Sequence, residues 1–168
     1  STIEFKTHYG NTTPFKIKRG TAQGCPLSPL IYIISMDLMH AGLHKNPICD
    51  NKEDGYKLEG GPRTIADKCY ADDTFLLART EDGLRRMNKW VNAFCDYNYI
   101  SMNPKKTKIF GLDKNRKDVQ MTLPVVQHGE QGKTTKRKKS QPASQYILHL
   151  GLWMNMHLDW SRAESDVA

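Results

Sequence analysis

Two adjacent acidic residues, Asp72 and Asp73, stand in the sequence Tyr70-Ala71-Asp72-Asp73 between two short apolar runs. A two-residue tip joining two antiparallel strands would hold both carboxylates at the rim of a β-hairpin. Like charges side by side repel unless a cation lies between them, and carboxylate oxygens suit a hard divalent ion such as Mg²⁺. An exposed turn that binds no metal is the alternative, because Asp often bonds its own backbone in turns.

Three further motifs lie around this pair in a fixed order. Residues 19–30 read Arg-Gly-Thr-Ala-Gln-Gly-Cys-Pro-Leu-Ser-Pro-Leu, residues 103–108 read Asn-Pro-Lys-Lys-Thr-Lys, and residues 146–153 read Tyr-Ile-Leu-His-Leu-Gly-Leu-Trp. Together with Tyr-Ala-Asp-Asp they resemble the palm of reverse transcriptases, in particular those of non-LTR retrotransposons and their group II intron relatives. The resemblance runs from about Phe5 to Trp153, with a gap in the basic stretch between the last two motifs.

The resemblance implies an RNA-directed DNA polymerase, a nucleotidyltransferase encoded within a retrotransposon protein. Its partners would be an RNA template, a DNA primer and deoxynucleoside triphosphates. Its chemistry would be two-metal phosphoryl transfer with Mg²⁺, or Mn²⁺ in its place. The resemblance makes Asp72 the chief metal ligand and Asp73 its catalytic partner.

The resemblance also assigns roles to residues outside the acidic pair. Nucleotide and template contacts are implied for Arg19, Gly20, Gln23, Gly24, Tyr70, Ala71, Lys106 and Thr107, and a primer grip for Leu150 and Gly151. Simpler interpretations stay open, namely turn glycines, a solvated basic strand edge at 105–108 and plain core at 150–152. His40 and His44 stand four residues apart on a predicted helix, but the sequence shows no third metal ligand near them.

One acidic residue of the family pattern has no counterpart. Members carry a further Asp on a strand well before the Arg-Gly loop, whereas the only acid before Gly24 here is Glu4. The chain also begins without Met, so we expect a piece of a longer polyprotein, with the fingers and the first palm strand upstream and no activity in the isolated piece. The alternative is a degenerate, catalytically dead remnant that at most binds nucleic acid.

Composition bounds these interpretations. The 168 residues suffice for one domain, and 25 Lys and Arg against 18 Asp and Glu give a net charge of +7, which favours a polyanionic partner. The four cysteines are widely spaced with no C-x-x-C pair, which argues against a zinc knuckle or a disulfide scaffold. Because no apolar run is long enough for a bilayer, we expect an intracellular protein, nuclear or cytoplasmic, without a membrane partner.

Several elements must position the motifs. Alternating residues from Ile3 to Ile17 predict a β-hairpin, and Ser28 with Pro29 predicts a helix start. That helix should run to about His44 and be buried on most sides, because it is apolar nearly all round. Residues 46–62 should be a surface connection. A second helix should open at Thr80, with an apolar face formed by Leu84, Met87, Val91, Phe94 and Cys95.

The predicted fold class is α+β. We expect an antiparallel palm sheet with the Asp-Asp hairpin at its centre and two helices packed on one face. The segment 127–144 holds many cations and few apolar residues to offset backbone entropy, which predicts a mobile basic loop. Within a partial palm domain over 1–168, the expected parts are a Gly loop and buried helix (19–44), the catalytic hairpin (64–79), a helix and Lys strand (80–111), the basic loop (127–144) and a primer-grip-like strand (145–153).

Overall fold

A computed structural model describes residues 2–16, 20, 24–45, 54–57, 64–129, 132–149 and 152–157. The chain divides into two compact units, an N-terminal unit of residues 1–38 and a C-terminal unit of residues 39–168. The described elements are helices and antiparallel strand pairs, which confirms the predicted α+β class. No helix among these residues is long and apolar enough to cross a bilayer.

The N-terminal unit opens with the predicted hairpin. Strand β1 (Thr2–Ile3) pairs with β4 (Phe15–Lys16), and β2 (Lys6–Thr7) pairs with β3 (Gly10–Asn11). The tip falls at residues 8 and 9, where the Thr7 hydroxyl donates to the Gly10 carbonyl at 2.5 Å. Gly10 has a φ of 116°, a conformation open to glycine at little cost.

Helix α1 (Ser28–Lys45) begins at the predicted residue, but the prediction that it is buried on most sides is wrong. Its Met39 and Leu43 side chains are buried near the C-terminal end. Along the rest of the helix, large apolar side chains are exposed, namely Leu30, Ile31, Tyr32, Ile33, Ile34 and Leu38. An apolar pattern shows what a helix can bury, whereas actual burial depends on which elements cover it.

Four short strands of the C-terminal unit lie within residues 56–76 and form two antiparallel pairs. They are β5 (Tyr56–Lys57) paired with β6 (Thr64–Ile65), and β7 (Asp67–Tyr70) paired with β8 (Asp73–Leu76). The Leu77 amide donates to the Ala66 carbonyl at 2.8 Å, and the Tyr56 amide donates to the Leu77 carbonyl at 3.2 Å. These bonds join the two ladders side by side.

Helix α2 (Glu81–Tyr97) matches the prediction closely. The Thr80 hydroxyl accepts from the Gly83 amide at 3.0 Å, which caps the first turn, and Glu81 and Asp82 place negative charge there. Four of the five predicted apolar side chains are buried and the fifth, Leu84, is partly buried.

Within the predicted surface connection at 46–62 the structure describes residues 54–57, and Asp54 and Gly55 are buried there, contrary to the prediction; the rest of the connection lies outside the described residues. The Asp54 side chain is only 2% exposed, and its carboxylate accepts from the Arg86 guanidinium of α2, with Nε 3.1 Å from both oxygens. The Asp54 carbonyl accepts from the Arg79 amide at 3.1 Å. A carboxylate is buried here because a cation on another element partners it.

The strand that was predicted to carry the lysines within 80–111 is instead a turn at Lys105 and Lys106. The Asn103 side chain accepts from the Lys105 amide at 3.0 Å, and the Asn103 carbonyl accepts from the Lys106 and Thr107 amides. Asn followed by Pro favours such a local turn, because the Asn oxygen satisfies backbone amides that would otherwise need a strand partner.

The prediction of a mobile loop at 127–144 is wrong over 127–129 and 132–139, which belong to two long strands. Strand β9 (Thr122–Gly129) and strand β10 (Gly132–Lys139) pair antiparallel over eight residues each. The apolar side chains that fix this hairpin belong to β9, whose Leu123, Val125 and Val126 are buried. The basic strand β10 is ordered through its backbone ladder and needs few apolar residues of its own.

The outer edge of β9 is closed by side chains of α2. The Asn88 and Asn92 amide groups each donate to the Pro124 carbonyl at 3.0 Å, and the Asn92 oxygen accepts from the Val126 amide at 2.8 Å. The Met102 amide donates to the Val126 carbonyl at 3.0 Å. The helix therefore takes the place of a further strand at this edge.

The predicted single palm sheet centred on the Asp-Asp hairpin is not confirmed. The described strands form six two-stranded ladders. The last of these pairs β11 (Ile147–His149) with β12 (Leu152–Met154). A small cluster of Ile109, Met121 and Leu123, with Leu84 and Val119 against it, links α2 to β9.

Candidate active site on the β7–β8 hairpin

The Asp-Asp pair lies on the hairpin formed by β7 and β8. Tyr70 pairs with Asp73, so the two-residue tip consists of Ala71 and Asp72, and Asp73 is the first residue of β8. The tip thus falls one residue earlier than the sequence pattern predicted. Asp72 and Asp73 are both exposed.

The turn has a strained residue at its first central position. Ala71 has a φ of 51°, in the left-handed region that hairpin turns of this length use and that glycine adopts most easily. The Cys69 thiol donates to the Ala71 carbonyl at 3.1 Å, and the Thr74 hydroxyl lies 3.7 Å from the Cys69 sulfur. These contacts across the hairpin stabilise the turn that presents Asp72.

The two faces of the hairpin differ in character. Directly paired residues of an antiparallel ladder point to the same face, so Lys68, Tyr70, Asp73 and Phe75 share one face. On that face Lys68 and Asp73 are exposed, and the Tyr70 side chain is 64% exposed. This open face, defined by those four residues, can receive a ligand.

The opposite face contacts helix α1 through Asp67. The Asp67 side chain is 7% exposed; one oxygen bonds His40 Nδ1 and the other lies 3.2 Å from His44 Nε2. Sequence reasoning saw the histidine pair but missed its carboxylate partner, which is 27 residues away from His40 and carried no local signal. Among the described residues no three His, Cys, Asp or Glu side chains form a group able to hold a metal ion.

The two described glycines of the first motif adopt left-handed backbone conformations. Gly20 and Gly24, in the N-terminal unit, have φ values of 82° and 85°. Both conformations favour glycine, whichever role the loop has. The predicted contacts at Arg19 and Gln23 fall outside the described residues.

The remaining predicted site residues lie on other elements of the C-terminal unit. Lys106 and Thr107 close the turn described above, and the Thr107 hydroxyl donates to the Asn103 carbonyl at 2.8 Å. Leu150 and Gly151, the predicted primer grip, fall outside the described residues, between β11 and β12. Their implied roles stay predictions.

Comparison with known proteins decides the family. The model of the family described as "Reverse transcriptase (RNA-dependent DNA polymerase)" matches residues 2–151. The chain belongs to the reverse transcriptase family. This confirms the resemblance drawn from the four motifs.

A named relative narrows the branch of the family. This reverse transcriptase chain is similar to the "Retrovirus-related Pol polyprotein from type-1 retrotransposable element R2" of Nasonia vitripennis, with 31% identity over 100 residues. The match covers 60% of this chain and 9% of that protein. The chain is therefore a reverse transcriptase sequence of the non-LTR retrotransposon type, and it spans about a tenth of that relative's length.

The donor chemistry of the hairpin fits the divalent ion that the family implies. Asp72 and Asp73 offer exposed carboxylate oxygens, the ligand type that Mg²⁺ prefers. Asp67 is not a third ligand beside them, because Asp67 and Asp73 point to opposite faces of the ladder.

Proposed function

We propose that this chain is the palm part of an RNA-directed DNA polymerase that acts within a retrotransposon protein. It adds deoxynucleotides to a DNA primer on an RNA template, with deoxynucleoside triphosphates as substrates. The observation that carries the proposal is the match to the reverse transcriptase family together with the exposed Asp72 and Asp73 on the β7–β8 hairpin.

Asp72 and Asp73 are the residues that would hold Mg²⁺. When bound, the divalent ions activate the primer hydroxyl and stabilise the charge of the departing pyrophosphate. The turn at Ala71, with its φ of 51°, sets where the Asp72 carboxylate is presented, and charges positioned before a reaction cost little reorganisation during it.

In this proposal other residues of the chain bind and orient the primer, the template and the incoming nucleotide. Tyr70 shares the open face with Asp73, so its exposed ring provides a surface for the sugar and base at the primer end. Lys106 supplies a cation for the triphosphate, with Thr107 beside it in the same turn. Gly20 and Gly24, with Arg19 and Gln23, allow the template base and the nucleotide to approach the backbone.

The third carboxylate of the site is proposed to come from the upstream part of the polyprotein, with the fingers. Two carboxylates hold Mg²⁺ weakly, because the ion releases water reluctantly and prefers six oxygen ligands. We therefore expect the 168-residue chain to extend no primer by itself, with either Mg²⁺ or Mn²⁺.

The test uses a chain extended upstream through the coding sequence that precedes Ser1. We expect it to copy an RNA template, and Asp72→Asn should lower the rate at least about a hundredfold, because a neutral amide of the same shape replaces a charged ligand. Asp73→Asn should lower it as well. Asp82→Asn on α2, an exposed acid outside the hairpin, is the matched control and should leave the rate unchanged. Wild-type activity of the extended Asp72→Asn chain would refute the proposal.

A further inference from the structure

Strand β10 forms a strongly basic edge. Its eight residues include five cations and no acid, and we call these cations the basic edge: Lys133, Lys136, Arg137, Lys138 and Lys139. Four of the five are exposed, and Lys138 is partly buried. Such a concentration of like charge raises the local potential and attracts an anionic partner.

Little within the described chain neutralises this edge. Lys133 lies 2.5 Å from an Asp96 oxygen, an ion pair that offsets its charge. For the other four cations the described residues provide no ion pair. Within the part of the chain that the structure describes, four consecutive positive charges, at 136–139, therefore have no paired acid.

The edge is held rigidly, in contrast to a disordered basic tail. β10 pairs with β9 along its whole length, and the far side of β9 is fastened to α2 through Asn88 and Asn92. Neighbouring residues of a strand point to opposite faces, and alternate ones lie about 6.8 Å apart. Lys136 and Lys138 thus project from one face, and Arg137 and Lys139 from the other.

The charged surface continues into a neighbouring hollow. An open hollow of about 440 Å³ lies between β10 and the turn at residues 103–107, and both Lys136 and Lys105 line it. The other described residues of its lining, none of them acidic, are Ser101, Met102, Asn103, Pro104 and Gln127. Two cations beside neutral amide and hydroxyl groups suit a phosphate oxygen.

We propose that the basic edge and this hollow bind the sugar–phosphate backbone of a nucleic acid. Charge complementarity selects this occupant, because a backbone supplies regularly spaced anions to a row of fixed cations. The inference goes beyond the polymerase proposal, since this binding needs neither metal nor turnover and uses no residue of the β7–β8 hairpin. Cations on an edge strand also discourage pairing with other chains, and a role confined to that protection is the competing explanation.

The experiment measures binding of the 168-residue chain by fluorescence anisotropy with EDTA present. The probes are a labelled RNA–DNA hybrid of about 20 base pairs and a single-stranded RNA of the same length, each titrated at several KCl concentrations. The variant carries Lys136→Gln, Arg137→Gln and Lys139→Gln together. Its matched control removes the same charges from the exposed loop at 113–118, by Lys114→Gln, Arg116→Gln and Lys117→Gln.

The logarithm of the binding constant falls linearly with the logarithm of the salt concentration, and we call the steepness of this line the salt slope. We expect the edge variant to lower the salt slope by about 2 to 3, close to 0.9 for each phosphate that the protein no longer neutralises. At about 0.1 M KCl its Kd should rise at least about tenfold, and the control should change the slope by less than about 1. The probe that binds more tightly identifies which backbone the edge prefers. An unchanged edge variant, or equal changes in both triple variants, would overturn the proposal.

Two further variants guard against misfolding. Exchanging the cations, with Lys136→Arg, Arg137→Lys and Lys139→Arg, keeps every charge and should keep the wild-type salt slope; loss of binding here would also overturn the proposal. The pair Lys105→Gln and Lys136→Gln tests the hollow and should weaken binding severalfold. An edge variant that aggregates while the soluble fraction binds normally would assign the cations to edge protection alone.

Discussion

Asn92 offers a quantitative test of how α2 holds the β9–β10 hairpin. The side chain is buried and makes three hydrogen bonds: its amide group donates to the Asn88 carbonyl at 2.7 Å and to the Pro124 carbonyl at 3.0 Å, and its oxygen accepts from the Val126 amide at 2.8 Å. Asn92→Ala removes all three. Pro124 keeps a donor in Asn88, but nothing replaces the acceptor of the Val126 amide.

The expected cost follows from these bonds. A buried amide deprived of its partner costs about 1–3 kcal/mol, and removing the two other bonds costs about 0.5–1.5 kcal/mol each. The better helix propensity of Ala returns roughly 0.5 kcal/mol. Asn92→Ala should therefore lower the free energy of unfolding by about 3 kcal/mol. Asn88→Ala removes one bond and orphans no donor, so it should cost under about 1 kcal/mol.

Urea unfolding followed by circular dichroism measures both variants against the wild type. The two asparagines lie on the same face of the same helix, so the comparison separates the orphaned amide from the general effect of truncating a buried Asn. If Asn92→Ala costs no more than Asn88→Ala, the description of the β9 edge as closed by this side chain is refuted.

Two further outcomes are expected. Arg86→Met should destabilise the chain by about 3–5 kcal/mol in the same assay, because the buried Asp54 carboxylate loses its guanidinium partner. Arg85→Met removes the exposed ion pair with Glu81 and a hydrogen bond to the Thr122 carbonyl, and should cost about 1–2 kcal/mol. Similar costs of the two variants would contradict the burial of Asp54. Burial raises the pKa of the Cys95 thiol to about 11, which leaves little reactive thiolate at about pH 8. Iodoacetamide should therefore modify the exposed Cys69 first and Cys95 only after unfolding, as measured by peptide mass spectrometry. Equal rates of modification at the two cysteines would contradict this prediction.

Local patterns predicted those parts of the fold whose partners lie nearby in sequence. Helix α2 combines a capping residue, an acidic first turn and an apolar face at helical spacing, and each signal lies within the helix itself. The β7–β8 hairpin likewise follows from short apolar runs around a tight turn. Its tip was misplaced by one residue because Ala71 adopts a left-handed φ that its residue type does not indicate.

The rest depends on partners distant in sequence. The basic character of β10 predicted a loop, yet its order comes from backbone bonds to β9, and backbone bonding leaves no mark on side-chain composition. Asp54 is buried because Arg86, 32 residues away, lies opposite it. For the candidate site, the motif order located the acidic pair, but spacing does not reveal which face of the hairpin lies against α1, because the link from Asp67 to His40 joins residues distant in sequence.

The contact between α1 and α2 has a consequence for how the sequence can change. The Trp90 indole donates to the Met39 carbonyl at 2.9 Å, and its ring passes so close to Gly42 that a Cβ built there would lie 2.1 Å from a ring carbon. Any side chain at position 42 therefore demands a smaller residue at position 90. The two positions should covary among related sequences, and Gly42→Ala, harmful alone, should become tolerable in combination with Trp90→Leu.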